Sequence, residues 1–95
     1  MAFGHAEHGE PQSEQQGIQS ALRHKTMMIE KPDAKGGLTL GKSWRKVTET
    51  KIHKKSFRYF IVSLYNASQE TTLYPVVSTY GQLRGANFTG EFEGL

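Results

Sequence analysis

The spacing of apolar side chains changes period along this chain. Between residues 13 and 29, Ile18, Ala21, Leu22, Met28 and Ile29 fall near one face at helical spacing, with Lys25 interrupting the stripe. Ser13 and Gln16 form a capping box ahead of it, and Glu14 complements the positive end of the helix dipole. Gly17 opposes the helix by about 1 kcal/mol relative to alanine. Pro32 is the stop, because the residue before a proline avoids helical geometry. The pattern predicts one amphipathic helix from about 13 to 29.

After the turn-forming run KPDAKGG, residues 31–37, the period becomes two. In FRYFIVSLY, residues 57–65, Phe57, Tyr59, Ile61, Ser63 and Tyr65 alternate with Arg58, Phe60, Val62 and Leu64. Both faces are largely apolar, so this strand is expected to be central. NASQE supplies a turn, and TTLYPVVSTY a further strand in which Pro75 implies an edge or a bulge. ANFTGEFEG alternates Phe88 and Phe92 with Thr89, Glu91 and Glu93, the pattern of a half-buried strand. SWRKVTETKIH favours a strand through its charge alternation, with residues 53–56 turning into the central one. The expected fold is mainly β with one N-terminal helix (α+β). Its small antiparallel sheet has about four strands, either open or a partly open barrel, with the helix packed on one face.

Composition divides the chain at the same linker. Up to Asp33, five acidic residues outnumber three basic ones; from Ala34 onward nine Lys and Arg face four Glu. This suggests an arm at 1–33 bearing the helix and a β-rich basic domain at 34–95. The polar segment 1–12 is expected to lack order unless a partner holds it. No apolar run approaches the length of a membrane span, and MAFGHAEHGEPQ lacks the features of a secretory signal. An intracellular (cytoplasm, nucleoid or nucleus) or virion location follows as an expectation. Cysteine is absent, which excludes disulfides and thiolate metal sites.

One motif points to nucleotide chemistry. GGLTLGKS, residues 36–43, fits the phosphate-loop pattern G-x-x-x-x-G-K-S/T. That pattern works when an apolar strand delivers the chain and a helix begins at Lys-Ser, so that backbone N–H groups converge on phosphate. Here the charged, proline-broken EKPDAK precedes it, and the sole aspartate, Asp33, lies upstream, away from where a magnesium ligand is needed. The match reads as accidental, although a Gly-rich turn can still contact a nucleic-acid phosphate.

Nothing else resembles an active centre. His5 and His8 have metal-like spacing but no third ligand at suitable distance, and His24 and His53 are isolated. Glu91 and Glu93 lie two apart on a presumed strand, a pattern common on hydrated edges. The expectation is a non-enzymatic protein without cofactor or metal.

The constellation with chemical content is basic. Lys42, Arg45, Lys46, Lys51, Lys54, Lys55 and Arg58 cluster with Glu49 as the sole acid among them, and Trp44, Phe57 and Tyr59 are interleaved. Cations that track phosphates beside rings that stack bases suit single strands. The expected function is therefore a nucleic-acid-binding module, single-stranded and without base-specific readout. The seven cations would contact phosphates, and Trp44 and Tyr59 would stack. The alternative is a structural subunit of a viral or phage particle or multisubunit complex. Its helix and an edge strand near Pro75 would dock on protein neighbours.

Overall fold

A computed structural model describes residues 12–30 and 40–95. Helix α1 spans Glu14–Glu30. Its start follows the capping-box chemistry: the Ser13 backbone N–H donates to Gln16 Oε1 at 2.8 Å, and the Gln16 N–H to Ser13 Oγ at 3.3 Å. A five-residue 3-10 helix, Lys42–Lys46, follows. Then come β1 (Thr50–Lys55), β2 (Tyr59–Asn66), β3 (Thr71–Ser78) and β4 (Leu83–Asn87). All neighbouring pairs are antiparallel in the order β1-β2-β3-β4, so the sheet is an open meander with β1 and β4 at its edges.

The fold is thus α+β, mostly β, with the helix on one face. Phe60, Val62 and Leu64 of β2 and Leu73 and Val77 of β3 meet Ala21 and Met28 of α1 in the core. Trp44 and Val47 close the same core beside the helix. Burying side chains of this size stabilises by about 1.5–3 kcal/mol each for Val, Leu, Phe or Met. Lys25, which breaks the apolar stripe in sequence, is itself buried and donates from Nζ to the Val47 carbonyl at 2.7 Å. His24 Nε2 donates to the Gly81 carbonyl at 2.9 Å, tying the helix to the β3–β4 turn. The boundary expected between 33 and 34 lies outside the described residues.

Three strand expectations are corrected. Pro75 sits in an interior strand, paired with Ala86 of β4 on one side. On the other side β2–β3 pairing runs from Tyr59–Ser78 to Ile61–Val76 and resumes only at Leu64–Leu73. The missing proline donor falls in that gap, so an internal interruption takes the place of an edge. Second, Ser43 to Lys46 form the 3-10 turn, and the strand begins at Thr50 and runs through Lys55; residues 56–58 make the hairpin turn. Third, the last strand is Leu83–Asn87 rather than 86–94. Asn87 ends it: Oδ1 accepts the Thr89 and Gly90 N–H groups, and Nδ2 donates to the Glu91 carbonyl.

The segment after β4 turns back over the sheet face opposite α1. Gly90, at φ 80°, rests against the Tyr74 ring and His53. The Phe92 ring lies beside Gly85, which pairs with Val76. Val76 and its partner Ile61 are buried on this second face. Among the described residues no helix is long and apolar enough to cross a membrane.

Candidate nucleic-acid interface

Strand pairing decides which cations share a surface. Lys51 lies opposite Ser63 and Ile52 opposite Val62, the normal alternation. Between Ile52 and Lys54 the register shifts, so that His53 and Lys54 together face Ile61. A bulge of this kind adds one residue and resets the alternation. It leaves Lys51 and Lys54 both on the face away from α1, while Lys55, opposite Phe60, points to the helix side. There Lys55 forms an ion pair with Glu14.

The remaining cations divide by position. Arg45 pairs with Glu30 at 3.3 Å, with both side chains about half exposed. Exposed pairs of this type contribute little stability and are screened by salt. Lys42 and Lys46 are exposed on the 3-10 helix, beside a hollow of about 610 Å³ that Tyr65 and Asn66 also line. Arg58 is exposed in the hairpin turn, its guanidinium carbon 5.4 Å from the centre of the Phe57 ring. Lys51, Lys54 and Arg58 therefore lie around the face that the segment after β4 covers in part, and Lys42 and Lys46 extend it at the far end of β2.

Rings are less evenly available. Trp44 is 2% exposed, inside the core and 6.2 Å from the Phe88 ring, so its expected role in base stacking is withdrawn. The 3-10 turn rotates its side chain inward, whereas the strand expected there would have allowed it outward. Tyr59 is half-buried at the start of β2 and lines a cleft with Arg58. On the same face Tyr65, Tyr74 and His53 border a groove of about 250 Å³ with Lys51, Ser63, Thr72 and the acidic Glu49. His53 and Tyr74 are 4.8 Å apart between ring centres.

Sequence patterns single out Phe57 but not Tyr80 or Arg84, which line the same cleft at the hairpin end. Phe57, expected in the alternating strand, stands 82% exposed in the turn before it. Tyr80 is 57% exposed, and Arg84 is displaced at a second bulge, between Val76–Gly85 and Val77–Leu83. A bulge leaves no reliable trace in residue type, so Arg84 carried no signal.

The described part of GGLTLGKS does not lead into an α-helix. Gly41 is extended, with φ −77° and ψ 174°, and precedes only the 3-10 turn. The Ser43 hydroxyl accepts amide hydrogens from Asn66 Nδ2 and Gln69 Nε2, each at 3.1 Å. Residues 36–39, Asp33 and the His5–His8 pair lie outside the described residues. Glu91 and Glu93 fall in the exposed segment after β4 rather than on a strand.

The chain belongs to a family of unknown function, DUF6488, whose profile matches residues 1–91. No curated protein and no solved structure gives a significant match.

Proposed function

We propose that this family member binds single-stranded nucleic acid without base-specific readout and without catalysing a reaction. The strand runs along the part of the sheet face opposite α1 that the segment after β4 leaves free. Lys51, Lys54 and Arg58 contact phosphates there, Lys42 and Lys46 extend the track, and Tyr59 with Tyr65 and Tyr74 offers rings to the bases. Arg45 and Lys55 add background potential, because each is partly neutralised by a glutamate.

The observation that supports this reading is the bulge at His53, which turns Lys54 to the same face as Lys51, beside the tyrosines. A four-stranded antiparallel sheet with rings and cations on the margin of one face, beside the segment after β4, has the physical elements of single-strand recognition, stacking and counterion release. The role places the protein with nucleic acid, inside a cell or a virion.

Fluorescence anisotropy of labelled single-stranded RNA and DNA tests it. If about five phosphates are neutralised, affinity falls roughly a hundredfold between 50 and 200 mM salt. Lys51→Glu/Lys54→Glu weakens binding strongly, whereas Lys55→Gln has a small effect. No binding at 50 mM salt overturns the proposal and returns the cations to a protein-facing or purely solvating role.

A further inference from the structure

We infer that the β1–β2 hairpin end of the sheet holds one nucleotide of the bound strand, its base against Phe57 and Tyr80 and its phosphate on Arg58 and Arg84. The inference rests on the nucleic-acid reading and gives it a defined subsite.

Among the described residues Phe57 is the most exposed of the large apolar side chains, yet its backbone is held firmly. The Ser56 N–H donates to the Tyr59 carbonyl at 2.9 Å, and the Arg58 N–H to Ser56 Oγ at 3.1 Å. Thr79, itself buried, donates its N–H to the Arg58 carbonyl at 3.1 Å and its hydroxyl to the Phe57 carbonyl at 3.4 Å. Tyr80 projects from a similarly fixed turn, where Ser78 Oγ accepts the N–H groups of Tyr80 and Gln82. Fixed backbones reduce the entropy lost when a ring is covered by a ligand.

The charges beside these rings are unspent. Among the described residues neither Arg58 nor Arg84 has a carboxylate within salt-bridge distance or donates a side-chain hydrogen bond. Arg58 lies over the Phe57 ring, an arrangement that leaves its in-plane N–H groups for an anion. Arg84 and Tyr59 line the same cleft, of about 690 Å³, within the size range of small-molecule sites. An acidic peptide would use the arginines and leave the rings in water. An apolar protein anchor would cover the rings and desolvate unpaired guanidiniums. A nucleotide brings a π-face and an anion together and satisfies both.

The test measures binding of a labelled single-stranded decamer over a salt series with the full chain. Phe57→Ala is expected to lower affinity about five- to hundredfold, the stacking of one base, without changing the salt slope. Phe57→Trp is expected to restore it. Arg84→Ala is expected to lower the slope of log affinity against log salt by about 0.7, one phosphate on a single strand. Unchanged thermal midpoints show that the variants fold. If Phe57→Ala and Arg84→Ala bind as the unaltered chain does while Lys51→Glu/Lys54→Glu does not, the subsite is wrong and the wider reading stands. If the unaltered chain binds no strand at low salt, both fall.

Discussion

Lys25 and Val47 are joined across the interior: the buried Nζ donates to the Val47 carbonyl oxygen at 2.7 Å, anchoring the end of the 3-10 helix to α1. Desolvation by burial lowers the Lys25 pKa below its ordinary 10.5. The unfolded chain therefore keeps this proton to higher pH than the folded chain does. In the window between the folded value and 10.5, stability contributed by this residue rises with pH, while below the window burial of the charge is a constant cost. Urea unfolding at pH 7 and pH 10 should show the unaltered chain gaining relative to Lys25→Met. A difference that is flat or shrinks would show that Lys25 is not desolvated.

Gly17 faces Phe60 so closely that a Cβ there would fall 2.6 Å from the ring's Cδ2. Alanine in a helix normally gains about 1 kcal/mol over glycine. Overpacking a core costs about 1–3 kcal/mol, and the Phe60 ring, itself buried, has little room to yield. Gly17→Ala is thus expected to lower the thermal midpoint, with part of the loss recovered by adding Phe60→Leu. A midpoint that rises in the single variant would reject the contact.

Ser43→Ala removes the acceptor for the Asn66 and Gln69 amides and leaves a buried Asn66 donor short of a partner. The expected cost is about 1–3 kcal/mol of folding stability. Calorimetric titration should show no magnesium-dependent ATP binding by either form. Magnesium-dependent binding lost in Ser43→Ala would reinstate the phosphate-loop reading.

Gly90 combines φ 80° with a tight seat, since a Cβ would come 3.1 Å from the Tyr74 ring and 3.2 Å from His53 Nε2. Left-handed backbone costs a non-glycine residue about 1–2 kcal/mol before any clash. Gly90→Val should release residues 88–95 from the sheet, seen as faster hydrogen exchange there and at Ile61 and Val76. Protection equal to that of the unaltered chain would mean the segment is not seated on Gly90.

Much of the fold was legible because the signals were local. The Ser13–Gln16 box marks the helix start, and the doubly apolar run through residues 59–65 marks a central strand. What failed depended on tertiary placement. Proline at position 75 excludes a hydrogen bond, not an interior position, and the β2–β3 ladder skips there. Trp44 among cations resembles a stacking platform, yet a short 3-10 turn sends it into the core. Gly17 weakens the helix by propensity alone, yet Phe60 occupies the space a larger residue would need. The cations were found as a cluster, but only the bulge at His53 sorts Lys54 from Lys55.

The two outer strands of the meander each carry an irregularity, at His53 in β1 and at Arg84 in β4. A bulged margin bends out of the plane in which a further strand would add its hydrogen bonds. Growth by sheet extension from one copy to the next is thereby discouraged on both sides. Several copies on one nucleic-acid strand, in the proposed role, would then sit as beads spaced by that strand, not as a continuous ribbon of sheet.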